Sequence, residues 1–482
     1  MKAAPPWSLL APLGVCALLT GWIALSAANV QAVGFSVLIY GLANLIVYTD
    51  ALDFILRLHV RRRHVATAAN AEENRFLSID LAAALPAGAR EVESIRPYAI
   101  VASVYNLEPL LDEFIDAFAP YRDRIWLISD GSTDHTVLRL QHAGWRCFDD
   151  GVNRRKPAAI RRLLERLPPH IETVLVVDPD IRIRGRDAGS LIDLDRFIRD
   201  FQQSGAAAVC PRIMIEPDGF LARFQALEYA LAFRVGRESL ADYSITSGIS
   251  CYRRDALARA LDAHSHSVYA EDLENALVLL RAGERIYYDG RLVVSTEGPG
   301  TLPRWFSQRV GWYYGFLKVY VERFADIWHI AKRTPFALYH FVIYMGVLSL
   351  GLHLLKIASA LLLLVSLLSG FDNLFLANLL PNSALTNPAY FISAVGSYLA
   401  LGVFALFTVV PKAERSYIAP IVPLYLLYAL THIVPMTVGY ANWVSVQLWG
   451  RRLYHDHYEP LPAAATALLP SVKDEAFARS NT

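Results

Sequence analysis

Two uncharged apolar stretches open the chain, with only a short polar interruption between them. Residues 3–49 hold no charged side chain, and Asn29 and Gln31 sit in the middle, where a turn belongs. Each half is about 20 residues, enough to cross a hydrocarbon core of roughly 30 Å. The pattern predicts a two-helix transmembrane hairpin over residues 1–52. A cleaved signal peptide is the competing reading, but its charged leader would be Lys2 alone and a second apolar span follows at once. Arg57, Arg61, Arg62 and Arg63 come next. By the positive-inside rule they place the following segment in the cytosol. Residues 53–96 are Ala-rich and weakly periodic, as in a linker with some helix.

The pattern changes at Pro97. Short apolar runs, "YAIVASVY", "RIWLISD", "TVLVVDPD" and "AAAVCPRI", have the length and β-branched content of buried parallel strands. Amphipathic pieces lie between them, among them Leu110 to Phe118 and Pro157 to Leu167. Alternation of this kind predicts an α/β sheet with helices on both faces. Ligands of such sheets bind beyond the carboxyl ends of the strands.

After Trp305 aromatics and charges mix, as in amphipathic helices at a membrane interface, expected over residues 313–335. Apolar blocks follow at Phe336–Leu368, Ala389–Val410 and Tyr417–Tyr440. The first exceeds one span and contains His340, His353 and Lys356, so it reads as an interfacial helix plus a span or as two short spans. Residues 336–440 are therefore expected to hold three or four transmembrane helices. Arg451 and Arg452 favour a cytosolic tail over residues 441–482, whereas Lys412 and Arg415 complicate the count, which stays at five or six helices in all.

Composition agrees with a membrane protein: 54% of residues are hydrophobic and 19% charged, against roughly 25% charged in soluble domains. A formal net charge of +1 offers no field for nucleic acid. The four cysteines are scattered, with none at metal-ligand spacing. Gly-rich phosphate loops of the Walker or dinucleotide type are missing from the sequence.

Carboxylates carry the chemistry. "SDGSTD" follows a strand and holds Asp130 and Asp134; "VVDPDI" ends another with Asp178 and Asp180; "YAEDLEN" adds Glu271 and Asp272. Any one of these is more often a turn former or helix cap. Two sets at strand ends of one sheet concentrate negative charge at one edge, which calls for a cation. Mg²⁺ or Mn²⁺ shared with a diphosphate suits oxygen ligands. "NRRKPAAIRR" places Arg154, Arg155 and Lys156 before a helix N-terminus, a setting for phosphate or, alternatively, a solvated basic turn.

The order of these motifs resembles family 2 of the inverting glycosyltransferases, specifically its membrane-embedded polysaccharide synthases for cellulose, chitin and hyaluronan. The similarity runs from about Pro97 to Trp312, so the resemblance implies a catalytic domain over 97–312. It implies an α/β nucleotide-diphospho-sugar transferase (GT-A-like) domain inserted between transmembrane helices. The implied donor is a UDP-sugar and the implied acceptor a growing polysaccharide or a lipid, at the cell's inner membrane. Asp130 would hold uracil or ribose, Lys156 would lie near the nucleotide, and Asp178 would touch the donor. Asp180 would bind the metal, and Asp272, in a string similar to the family's TED, would be the general base. "SGISCYRRDAL" takes the place of the acceptor-side segment.

One departure stands out. Processive members carry Q-x-x-R-W, and here the string is "QRVGW", with Gln308 and Trp312 in place but Gly311 where the arginine belongs. Arg309 is the candidate substitute at the diphosphate, although on a helix two residues turn it about 200° around the axis. Trp305, Trp312, Tyr313 and Tyr314 suit either sugar stacking or interfacial anchoring. Three readings stay open: a processive synthase, a single-transfer enzyme acting on a lipid acceptor, and a degenerate transferase kept as a binding or scaffold subunit.

Overall fold

Alternate residues of the first strand face two different cores. In β1 (Tyr98–Val104), Ala99 and Val101 pack with Ala159, Ile160 and Leu163 on one side of the sheet. Ile100, Ala102 and Val104 pack with Phe114, Phe118 and Phe197 on the other. A strand buried on both faces has little room for polar side chains, which explains its apolar run, broken only by the half-buried Ser103. The structure, a computed structural model, describes residues 49–61, 95–183, 190–265, 269–353, 356–357, 368 and 388–454. The N-terminal hairpin expected over 1–52, apart from its last residues, and most of the 441–482 tail lie outside the described residues.

The sheet has eight strands: β1, β2 (Ile125–Ser129), β3 (Cys147–Phe148), β4 (Thr173–Val177), β5 (Ile181–Arg182), β6 (Ala208–Ile215), β7 (Ile249–Arg253) and β8 (Ile286–Thr296). Their order is β3-β2-β1-β4-β7-β6-β8-β5. The four strands read from the sequence, β1, β2, β4 and β6, run in one direction, with β7 antiparallel between β4 and β6. β7 lies within "SGISCYRRDAL", whose serines and arginines hide its strand character. β8 is buried along its whole length and pairs in parallel with β6.

Helices cover the sheet in chain order: α1 (residues 49–61), α2 (Leu111–Phe118), α3 (Thr136–His142), α4 (Lys156–Arg166), α5 (Leu194–Ser204), α6 (Gly219–Leu231), α7 (Arg254–Asp262) and α8 (Glu271–Arg281). The stops and starts are chemical. Asp193 Oδ1 caps α5 by accepting from the Arg196 amide at 2.8 Å, and Gly205 closes it at φ 66°.

Beyond the sheet come α9 (Leu302–Glu322), α10 (Phe324–Ala331), α11 (Pro335–Gly351), α12 (Pro388–Thr408) and α13 (Lys412–Trp449, with a tighter turn at Ala419–Leu424). Among the described residues α13 alone is long and apolar enough to cross a membrane, with mean hydropathy 1.7 in its most apolar window; α11 is a shorter apolar helix. The first turns of α13 instead pack on the α/β domain: Ile418, Ile421, Val422 and Tyr428 share a core with Phe224 and Trp305. Arg212 of β6 and Glu414 form a buried ion pair there at 2.6 Å.

Two expected boundaries move. Residues 53–61 form the helical part of the segment read as a linker with some helix; Arg57 pairs with Asp53 at 2.8 Å, and Arg61 with Glu238 at 2.8 Å docks α1 on the domain. The boundary at 312/313 falls inside α9, which runs unbroken from the α/β domain into the segment read as interfacial.

Candidate active site

Strand direction assembles the site. β1, β2 and β4 end at the same sheet edge, and β7, running the other way, begins there. The edge therefore collects Asn106, Asp130, Asp178 and the Ser247-Gly248 turn. The Asp178 amide donates to the Gly248 carbonyl at 2.8 Å. A Cβ at Gly248 would collide with the Asp178 carboxylate, so this position takes only glycine without rearrangement.

The "SDGSTD" turn is tied to the loop after β1. Asn106, held at φ 46°, accepts from the Thr133 amide at 2.8 Å through Oδ1. Asp134 accepts from the amides of Thr136 and Glu108 at 3.0 and 3.1 Å, so it shapes the turn and caps α3. Asp130 is buried, and its Oδ1 accepts from the Arg154 amide at 2.6 Å. Burial pushes its carboxyl up to about 6 despite that amide and the nearby Arg155. Gly131, at φ 75°, lies against the Asn153 backbone, which joins this turn to the "NRRK" loop.

Lys156 opens α4 and reaches across to two carboxylates. Its Nζ lies 2.5 Å from Asp178 Oδ1 and 2.7 Å from Glu271 Oε1. Burial alone would lower the Lys156 pKa, but these two anions raise it well above the usual lysine value. Burial raises Asp178 to about 6, with Lys156 opposing. Burial also pushes Glu271 upward, yet Lys156 outweighs it and the carboxyl ends below its ordinary range.

Asp272 sits beside this clasp on the first turn of α8. Its carbonyl accepts from Thr246 Oγ1 at 2.7 Å and its Oδ1 from the Leu273 amide at 2.8 Å. Burial, and then the Glu271 charge, raise its pKa. That is the direction a general base working near neutrality needs. Ala270 just before it stands at φ 60°, a strained conformation for a residue with a Cβ. A cleft lined by Lys156, Ser247, Tyr252, Glu271, Asp272 and Asn275 lies between α4, β7 and α8.

Asp180 Oδ2 accepts from Thr296 Oγ1 at 2.9 Å. Two residues on, Arg182 pairs with Glu113, with Glu216 at 3.3 Å and with Glu297 at 2.8 Å. Arg182 thus offsets part of the charge of these three carboxylates, and Asp180 lies two residues before it. No trio of ligating side chains converges among the described residues. Mg²⁺ typically takes one or two carboxylates and completes its shell with water and substrate phosphates, so Asp180 fits that mode.

The "QRVGW" string lies on α9 and divides. Arg309 is buried and donates from Nη2 to Glu228 Oε2 at 2.9 Å. Glu228 also accepts from the Tyr428 hydroxyl at 2.7 Å, and Trp305 Nε1 donates to that hydroxyl at 3.1 Å. Arg309 is therefore paired with Glu228 of α6, away from the Lys156 cleft contacts described above. Helix periodicity is the reason, since its turn around the axis aims it at Glu228. Its guanidinium lies 4.2 Å from the centre of the Trp312 ring, which remains 37% exposed. Gln308 Oε1 is buried without a hydrogen bond among the described residues. Gly311 packs directly on the Tyr269 ring.

Sequence reasoning gave Glu228, Arg182 and Tyr269 no role and did not pair Glu271 with Lys156. Each acts through a partner distant along the chain: Glu228 and Arg309 are 81 positions apart and Lys156 and Glu271 are 115 apart. No local pattern announces them.

Among solved structures, the chain is similar to glucosyl-3-phosphoglycerate synthase from Mycobacterium tuberculosis. In complex with Mn²⁺, UDP and glucosyl-3-phosphoglycerate, that enzyme is 17% identical, with 42% of this chain and 72% of the other covered at a TM-score of 0.29. Its complex with Mn²⁺ and UDP-glucose gives 17% identity, coverage of 44% and 78%, and a TM-score of 0.30. A likeness this loose carries no argument about the present site. The search of curated proteins found no match. The sequence profile described as glycosyl transferase family group 2 matches residues 192–433, from the cap of α5 through α9 into α13. This stretch includes Asp272 and the whole "QRVGW" string and amounts to half of the 482 residues, and on that match the chain belongs to glycosyl transferase family group 2.

Proposed function

We propose that the protein is an inverting membrane glycosyltransferase that moves a sugar from a UDP-sugar donor to a growing polysaccharide. The observation that carries this reading is the Lys156 clasp between Asp178 and Glu271, one residue from Asp272. It puts a cation for a diphosphate beside a carboxylate suited to accept a proton. Asp130 would hold the uridine part. Asp178 would contact the donor, and Asp180 would hold Mg²⁺ or Mn²⁺, which supplies charge neutralisation for the departing diphosphate.

Asp272 takes the proton of the acceptor hydroxyl as that oxygen bonds to the anomeric carbon. The bond from that carbon to the diphosphate oxygen breaks on the opposite side, and the nucleoside diphosphate leaves with the electron pair. Lys156, released from its carboxylates, then meets the new negative charge.

The apolar helix α13 and the basic residues Arg451 and Arg452 support an inner-membrane location with the catalytic domain on the cytosolic side. A second reading is a single transfer to a lipid acceptor. It is favoured by Gly311 and by the commitment of Arg309 to Glu228, which leave the processive signature incomplete. The set Asp130, Lys156, Asp178, Asp180 and Asp272 weighs against a degenerate scaffold. Purified protein incubated with a panel of labelled nucleotide sugars tests the proposal: transfer from a UDP-sugar supports it, and product length separates the two acceptor readings. Neither transfer nor donor hydrolysis from any of them would overturn it.

A further inference from the structure

Gly311 and Gly315 lie one turn apart on the same face of α9. A Cβ on Gly311 would fall within the Tyr269 ring, and one on Gly315 would strike the Tyr269 Cβ, carbonyl carbon and carbonyl oxygen. The tyrosine is therefore laid along the helix, with its backbone on one glycine and its ring edge on the other. It is 6% exposed. The next residue, Ala270, is the left-handed N-cap of α8, and Glu271 and Asp272 follow immediately. No side chain caps that helix end; the tyrosine seat holds it together with the Lys156–Glu271 pair, the Thr246 hydrogen bond to the Asp272 carbonyl and the contacts of Glu274 with Ser265 and Arg323.

We infer that Tyr269 is a positioning residue for Asp272, seated in a notch that exists because Gly311 and Gly315 have no side chains. The inference rests on the proposed transferase reading and deepens it. The residue at 311 is then an adaptation that lets α9 hold the base-bearing segment, and not merely a lost arginine. Depth in the notch translates into the position of the Asp272 carboxylate two residues away. Gly315 acts on the tyrosine backbone and Gly311 on the far end of its ring, so the two should differ in strength.

The test uses the full-length protein with Gly311→Ala, Gly315→Ala, Tyr269→Phe and Tyr269→Ala. Gly315→Ala should lower kcat about tenfold to a hundredfold, the scale of an ångström-level misplacement. Gly311→Ala should cost less, and the KM for donor should hardly move in either. Tyr269→Phe, which keeps the ring, should retain more turnover than Tyr269→Ala. Adding Gly311→Ala to Tyr269→Ala should cost nothing further, because the collision partner is gone. Asp272 pushed toward water should also lose its raised pKa, so the acid limb of kcat moves to lower pH. A loss of kcat with no movement of that limb would mean general destabilisation and would sink the inference, as would wild-type kinetics in both glycine variants. Hydrogen exchange gives a readout independent of turnover: Gly315→Ala should speed exchange over residues 269–273 while the Asp130 and Lys156 loops stay protected. Unchanged exchange there overturns the seat, whereas an inactive wild-type protein with altered exchange overturns only the transferase reading.

Discussion

Lys156 and Glu271, 115 positions apart, meet at 2.7 Å and bring the start of α4 against the start of α8. The same ammonium reaches Asp178 at 2.5 Å, so one cation holds the ends of three elements together before any donor arrives. In the proposed mechanism donor binding opens this clasp and frees the ammonium from its two carboxylates.

Removing the ammonium with Lys156→Met leaves two partly buried carboxylates facing each other. Stability should fall by about 1–3 kcal/mol, the cost of unsatisfied buried polar groups. Donor affinity should fall as well. Thermal unfolding and donor titration read the two effects; a variant that keeps both wild-type stability and affinity contradicts the role of the clasp.

Asp272→Asn should abolish transfer, with turnover down about 10²-fold or more, while UDP binding stays near wild type. The raised pKa of Asp272 places the acid limb of the wild-type profile above the ordinary aspartate range. Near-full activity in the variant removes Asp272 as the base.

Burial holds the Asp130 and Asp178 carboxyls near 6. Both need to be ionised to bind the donor and its cation, so kcat/KM for donor should drop as the pH falls below about 6, while the acid limb of kcat reports Asp272. Their effect on stability has the opposite sign. A raised native pKa means that the folded chain takes up these protons before the unfolded chain does. Acidification from about 6 to about 4 therefore favours the fold through these two groups. Asp130→Asn should stabilise more at about pH 8 than at about pH 5. A difference in Tm that is the same at both values refutes the assignment.

Divalent metal should be required, and Asp180→Ala should remove both the requirement and the activity. A diphosphate leaving beside carboxylates is repelled unless a cation lies between them. Full turnover in excess EDTA rules this out.

Arg309→Ala should act on stability and not on the donor. It strands Glu228 among Tyr428 and Trp305, and breaking a buried pair costs about 3–5 kcal/mol. Glu228 keeps some contact with solvent, so the lower end of that range is expected. Gly311→Arg should not restore a diphosphate contact, because its Cβ already meets the Tyr269 ring. Tighter donor binding in Gly311→Arg, or a wild-type Tm with weakened donor binding in Arg309→Ala, would show that this segment reaches the diphosphate.

Much of the protein was readable from residue order alone. Runs such as "YAIVASVY" and "TVLVVDPD" announce strands buried on both faces, because burial of that kind disfavours polar side chains at every position. Asp130 and Asp178 follow such runs, so their place at a sheet edge comes from local pattern and chain direction. The apolar character of α13 is equally local. What sequence could not supply was which ends meet. β7 was hidden by its serines and arginines, and its insertion between β4 and β6 is what sets Gly248 against Asp178. Arg309 looked like a stand-in for a missing arginine until the rotation of α9 turned it to Glu228. Gly311 looked like a loss until Tyr269 was found lying in its place. Periodicity reports how one segment buries its own faces, over a few residues at a time. Contacts such as Lys156 with Glu271 depend on strand order and helix rotation across the whole domain, and only the tertiary structure decides those.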